Sequence, residues 1–518
     1  MYIDYWISDG IEYAKVVHSV RKGKKVVPEN TIYLGRVIDK QRKIFKNRER
    51  GMFVYDVETN TFSKVPSEWM VSTPKRKTKV PSRQILSVVF GDIFLLDSYL
   101  KSIDFYKVVD AIQFRNPDTI RALLCFYILT DMSNRFAREW WESSYAKYLF
   151  PRAQMDSQRI SEALEDIGSE EAKRNFFREY IPFIENMDLV PIEHRIEDAI
   201  LIDSTGLPND VQLPITAVSN HNGVVSNEIR MIYAIRQKTG LPLFYRYIAG
   251  NVVDVSTLTR TIAELKANNI ATRFVILDAG YYTGTNADEL YKEKVDFLCR
   301  MKGNYTLYKD ILTEHLEHLE NRSNFVSYNG RVFYIKHIVC KIGSKNNLPA
   351  HAYLCRDNFE NVYLSHLLLE KAKDQELSDD ELYDEMSDLG VFVLISSKYI
   401  DKKELLPLYY TRDQVEKGFN ITKQLGKILP LNIEKESTLR GHLLIAFMAS
   451  VIAKLMQGKL KGTGLTVKGM LFSLRIHHAL VYDKELITNE VRKQCNIAYK
   501  AFDIKCPVKV PIESMESK

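Results

Sequence analysis

Two apolar runs close on an aspartate followed by a small residue: Ile200-Leu201-Ile202-Asp203-Ser204 and Val275-Ile276-Leu277-Asp278-Ala279. Runs of this kind read as strands buried on both faces, and in an open α/β sheet the carboxyl ends of the strands face the ligand crevice. Neighbouring strands would bring the two carboxylates into one site. Strand-end aspartates also cap helices and start turns, so the pair alone leaves both readings open. Far downstream, Tyr409, Arg412, Glu416 and Lys423 fall within residues 408–424, where a helix is expected with Pro407 at its first turn. At about 100° per residue the four side chains come within about 60° of one another. One helix face then carries a phenol, a guanidinium, a carboxylate and an ammonium. Carboxylates suit hard cations, and the guanidinium and ammonium suit phosphate oxygens. Arg412 and Glu416, four residues apart, would pair on a solvated helix. Apolar Val415 and Phe419 adjoin the stripe, however, and carry part of it inward.

The elements that must position these groups follow from pattern. The chain has 518 residues, 45% hydrophobic and 27% charged, a globular composition with length for about three to four folding units. Residues 1–83 alternate short β-prone runs with basic turns and end in Pro74-Lys75-Arg76-Lys77-Thr78-Lys79-Val80-Pro81, a proline-bracketed basic linker. Residues 84–195 show helical spacing, as in Ile120, Leu123, Leu124, Tyr127 and Ile128. From residue 196 the pattern becomes α/β, running to about 302 and returning at Val391. The intervening residues 303–390 read as an inserted β-rich subdomain with an acidic helical stretch, because otherwise the strand at Val391 has no sheet to join. Residues 391–430 complete the core, and 431–518 are read as mostly helical.

Charge is unevenly placed. Residues 1–83 hold 18 Lys+Arg against 9 Asp+Glu, a net +9, which leaves 54 against 57 for the remainder. A basic block on a nearly neutral body is the footprint of a polyanion partner, or a solvated basic surface. The six cysteines show no paired metal-ligand spacing and are read as reduced thiols. No run reaches the ~18 uncharged apolar residues of a membrane span, since residues 443–453 are short and flanked by Arg440 and Lys454. The first residues lack a signal-peptide pattern, so a cytoplasmic location is expected. His315 and His318 fit an exposed helix better than a metal site, and His477-His478 is similar. Trp140-Trp141 reads as core packing. Tyr281-Tyr282, directly after Asp278, would line a channel or pack a loop.

The downstream stripe has a further meaning. Tyr409-x2-Arg412-x3-Glu416-x6-Lys423 resembles the Y-x2-R-x3-E-x6-K signature of bacterial DDE transposases of the insertion-sequence-four superfamily. The likeness extends to the order Asp203, Asp278, Glu416, to Gly240-Leu241-Pro242-Leu243 and Gly250-Asn251-x2-Asp254, to a β-rich insertion before the glutamate, and to Arg440-Gly441-His442. It spans about residues 199–447. The resemblance implies an α/β ribonuclease-H-like catalytic core with a β-rich insertion, a basic β-rich N-terminal DNA-binding module and helical flanking domains. It implies that Asp203, Asp278 and Glu416 are catalytic and hold two divalent ions, Mg²⁺ or a substituting Mn²⁺, with Asp203 bridging both. Tyr409, Arg412 and Lys423 would contact DNA near the cleavage site. The implied partners are double-stranded DNA, as element ends and as target, and a second copy of the chain on paired ends, in the bacterial cytoplasm with the nucleoid. The expected activity is cleavage at terminal inverted repeats followed by joining of the 3′-hydroxyl to target DNA. Alternatives are a domesticated, non-catalytic DNA binder and a nuclease of the same fold that cuts without joining.

Overall fold

The computed structural model describes residues 1–518 except 9, 23–24, 67–68, 70–85, 188–198, 210, 212, 222–223, 253, 373–381, 383–385, 387, 414, 420–432 and 513–518. Lys423, the linker 74–81 and most of the acidic stretch 370–388 therefore lie outside the described residues, as does the side chain of Asp254. Two compact units are present, Met1–Ser82 and Arg83–Lys518.

The first unit is a six-stranded antiparallel meander: β1 (Tyr2–Ser8), β2 (Ile11–Lys22), β3 (Lys25–Asp39), β4 (Ile44–Asn47), β5 (Gly51–Asp56) and β6 (Thr61–Lys64). Alternation along the strands puts Ala14, Val16, Leu34, Phe45, Phe53 and Tyr55 into a small core. Tyr5 and Phe62 pack at the margin of that core, Trp6 lies against Tyr13 and Tyr33, and cations lie over three of these rings: Lys40 over Tyr5 at 4.3 Å, Arg50 over Phe62 at 4.2 Å and Lys15 over Trp6 at 5.5 Å.

The second unit is organised by a ten-stranded mixed sheet. Its strands are β8 (Ala199–Pro208), β9 (Ala217–His221), β10 (Val224–Arg236), β11 (Pro242–Ala249), β12 (Phe274–Leu277), β13 (Asp296–Met301), β14 (Phe325–Tyr328), β15 (Arg331–Ile342), β16 (Leu348–Asp357) and β17 (Val391–Ser396). They run in the order β11-β10-β8-β12-β13-β17-β16-β15-β14, with β9 paired to β10. Strands β8, β12 and β13 are mutually parallel; β10 is antiparallel to β8 and to β11. Among the described residues, the inserted segment 303–390 builds no sheet of its own. Strands β14 to β16 continue the core sheet beyond β17, and the Asn329-Gly330 hairpin joining β14 to β15 has positive φ at both turn residues, as a tight two-residue turn requires.

Helices flank the sheet, and the 24-residue helix Glu436–Lys459 is the chief of them. It is long and apolar enough to cross a membrane, but 89% of its most apolar stretch is buried within the fold. Phe447 on this helix meets Phe176, Phe177 and Tyr180 of the helix Glu170–Glu185, and Tyr233 and Tyr245 of the sheet, at ring separations of 5.0–6.1 Å. Gly441 is required for close approach to the helix Ser157–Ile167: a Cβ there would lie 1.9 Å from the Leu164 carbonyl oxygen. Residues 431–518 are not wholly helical. A four-stranded sheet joins β20 (Lys509–Pro511), β19 (Glu485–Thr488) and β18 (His478–Val481) to β7 (Leu86–Val89), tying the end of the chain to the start of the unit.

Candidate active site

The parallel pairing of β8 with β12 aligns Ile202 with Leu277, so the residues that follow emerge side by side: Asp278 just past the end of β12, and Asp203 in the middle of β8, which the apolar run alone would end there but which continues along β10 to Pro208. Burial explains why the turn to polarity happens there. Positions 199–202 are buried, and Asp203 is the first residue of β8 to reach partial exposure. The buried Cys299 thiol on β13 donates to the Asp278 carbonyl oxygen at 3.1 Å, which fixes the backbone from the next strand.

Arg412 joins the two carboxylates. Its guanidinium lies 3.0 Å from an Asp278 oxygen and 3.6 Å from an Asp203 oxygen, and its Nη1 donates to the Tyr409 hydroxyl at 2.8 Å. Asp203 and Arg412 side chains are each 16% exposed, whereas Asp278 is 44% exposed, so the pair grades from interior to surface. Burial works against the Arg412 charge, but Tyr409, Asp278 and Asp203 outweigh it and hold its pKa above the usual guanidinium value. Burial pushes the Tyr409 phenol up to about 12. Tyr409 is thus a neutral, buried partner of Arg412.

The helix carrying these groups begins earlier than its proline suggests. Asp401 caps it, accepting from the Lys403 amide, and the helix runs Lys402–Tyr409 with Pro407 in its interior. The backbone tightens to a 3₁₀ turn at Tyr410–Arg412 and resumes as helix at 415–419. Pro407 lacks the amide that would bond to the carbonyl of Lys403, so it loosens the turn before it and not the 3₁₀ turn that follows. Val415 and Phe419 face inward, and the Phe419 ring stacks on Tyr233, the residue paired with Asp203 across β10. Gly418 also packs closely, where a Cβ would come 2.9 Å from the Ile235 side chain.

Glu416 is exposed and lines a cleft of about 450 Å³ together with Tyr409 and Arg412. Arg412 forms its ion pairs with the two aspartates and none with Glu416. Among the described residues no three carboxylate, histidine or cysteine side chains are assembled as a metal cage, so Asp203 and Asp278 are brought together and Glu416 is not gathered in with them. The donor chemistry nonetheless suits a hard cation: two aspartates converge on one cationic group, in this structure the Arg412 guanidinium.

Residues absent from the motif also line this cleft. Arg300, at the end of the strand next to Asp278, lies 5.2 Å from the Phe392 ring, and Arg331 pairs with the buried Asp357 at 2.9 Å. Arg300 had a signal in Phe297-Leu298-Cys299-Arg300, a third apolar run closing on a charge. Tyr281 and Tyr282 are buried, so they pack the loop. Trp140 is buried, and Trp141 donates to the Phe150 carbonyl. His477 is buried between the Tyr499 hydroxyl and the Asn489 carbonyl.

Residues 195–452 match the family model of the transposase DDE domain, and the mixed α/β sheet with its two neighbouring aspartates lies within that segment. The match supports a DDE transposase, a protein of DNA transposition and recombination. No curated protein matches the sequence. Among solved structures, the cryo-EM structure of a piggyBac transposase synaptic complex with hairpin DNA is 12% identical, with 79% of each chain covered and a TM-score of 0.40. At that level of likeness nothing about this chain rests on it.

Proposed function

We propose that this protein is the transposase of an insertion sequence of the insertion-sequence-four type, binding the terminal inverted repeats of its element, cutting there and joining the freed 3′-hydroxyls to target DNA. The observation that carries this reading is the convergence of Asp203 and Asp278, from adjacent parallel strands, on Arg412. Asp203 and Asp278 would hold divalent ions, Mg²⁺ or Mn²⁺, with Glu416 as the third ligand. Bound there, such ions supply activation of an attacking oxygen and stabilisation of a departing one in in-line phosphoryl transfer.

The chain's own residues have distinct tasks. Arg412 balances the two aspartates, and its fork would suit a phosphate oxygen were the aspartates engaged with ions. Tyr409 holds that fork in place through the 2.8 Å hydrogen bond. Lys423 adds a point charge to the same DNA strand. The basic unit Met1–Ser82 grips the element end, and two copies of the chain act on paired ends. Hydrolysis and strand transfer use one site because each is an attack on a phosphodiester.

The test incubates the full chain with labelled element ends and Mg²⁺ or Mn²⁺, beside Asp203→Ala, Asp278→Ala and Glu416→Ala variants. Nicking and strand-transfer products are expected from the wild type and neither from the variants. A variant that nicks at the wild-type rate removes that residue from the reading, and cutting without joined products turns the reading to a nuclease.

A further inference from the structure

A second cleft, of about 430 Å³, opens at the free edge of the sheet, between β11, the helix Glu170–Glu185 and the helix Leu258–Ala267. Its charged lining is Lys173, Arg174, Arg246 and Arg260 against Glu170 and Glu264. The carboxylates are engaged. Glu264 meets Arg246 at 3.1 Å and Arg260 at 3.2 Å, and Glu170 meets Arg440 at 3.3 Å. Among the described residues, this leaves Lys173 and Arg174 with no ion-pair partner. Lys173 is also partly buried, its ammonium 5.1 Å from the Phe244 ring centre and 4.9 Å from that of Tyr245. Burial pushes its pKa below the ordinary lysine value, with Arg246 and Arg440 adding to the effect against Glu170 and Glu264. Aromatic faces attract a cation but do not neutralise it, and Glu170 and Glu264, nearby but paired to arginines, leave this partly desolvated ammonium without a carboxylate of its own, so an anion in the cleft would be favoured.

The register places this cleft. Tyr245 pairs with Tyr233, and Tyr233 with Asp203, so Lys173 stands over the same cross-strand row as the catalytic candidate, two strands away. At ~4.8 Å per strand the backbones of Tyr245 and Asp203 are roughly 10 Å apart. We infer that the cleft binds a phosphate group through Lys173 and Arg174, and that this phosphate belongs to the backbone of DNA engaged at Asp203 and Asp278. The phosphate chemistry stands on the cleft alone; its DNA source rests on the transposase reading.

The full chain is tested beside Lys173→Gln/Arg174→Gln and beside Lys173→Arg, with two readouts. In the first, inorganic phosphate replaces chloride at equal ionic strength. The wild type and Lys173→Arg are expected to melt at higher temperature with phosphate and the double variant to show no shift, its melting temperature without phosphate being no lower than that of the wild type. In the second, a labelled duplex is titrated at several salt concentrations. The double variant is expected to bind about tenfold more weakly, the worth of one charge-assisted hydrogen bond, with a salt slope smaller by one to two. A phosphate shift lost in the variant with duplex binding unchanged supports the phosphate site and overturns DNA as its source. No change in either readout overturns the proposal. Failure of the wild type to bind any duplex tells against the transposase reading, while the phosphate readout still decides the cleft.

Discussion

The carboxylate centre and the edge cleft lie on one sheet, in one cross-strand row, with opposite balances of charge. At the centre, two aspartates outnumber the one guanidinium that joins them. In the edge cleft, four cations outnumber two carboxylates. The difference follows from where each sits. Adjacent parallel strands turn from apolar to polar at the same level, at Asp203 within β8 and at Asp278 just after β12, so acids there are pressed together and need a cation. A sheet edge is bordered by helix surfaces, whose long cationic side chains bend inward over aromatic rings. Like charges gathered by the fold mark the two places where something of opposite sign is wanted.

Four perturbations break or sharpen that contrast. Asp203→Ala or Asp278→Ala should lower cleavage by on the order of 10⁴-fold, as removal of one member of a concerted catalytic set does, while leaving duplex affinity unimpaired; rates measured under single-turnover conditions decide this. Arg412→Ala should destabilise the metal-free chain by about 2 kcal/mol, because the aspartates lose their counter-charge. Added Mg²⁺ should then recover part of the loss, and a denaturation midpoint indifferent both to the substitution and to Mg²⁺ would contradict the compensating role. Tyr409→Phe removes one acceptor from Arg412 and should cost about 1 kcal/mol in the same measurement, with a smaller fall in activity than Arg412→Ala. Arg260→Gln, at a side chain 77% exposed, should change duplex affinity by less than about twofold; a larger effect would move the weight of the edge cleft from Lys173 to its rim.

Much of the centre was legible because strand period and burial speak directly through sequence. Ala199 to Ile202 and Phe274 to Leu277 are short, uniformly apolar and buried, so the position of the following aspartates could be read from the runs themselves. The inward course of Val415 and Phe419 was readable from adjacency to the stripe. The helix start at Lys402 was not, because Pro407 suits a first turn and the capping Asp401 carries the stronger signal only once its amide partner is known. The sheet membership of β14 to β16 also escaped the sequence, since alternation announces a strand and not its neighbour. Lys173 gave no signal at all. Its spacing is that of any solvated helix lysine, and only the pairing of β11 with β10 sets Phe244 and Tyr245 beneath it.

The antiparallel seam between β13 and β17 has a consequence for how the chain is made. β13 ends at Met301 and its partner β17 begins at Val391, so the middle of the sheet waits for about ninety residues of intervening chain. At about 5–20 residues per second, translation leaves the edge of Asp296–Met301 unpaired for roughly 5–20 seconds after it emerges from the ribosome. That edge is mostly apolar, and a bare apolar strand edge invites pairing with other chains. The interval between these two strands is therefore one in which the newborn chain is open to wrong pairing.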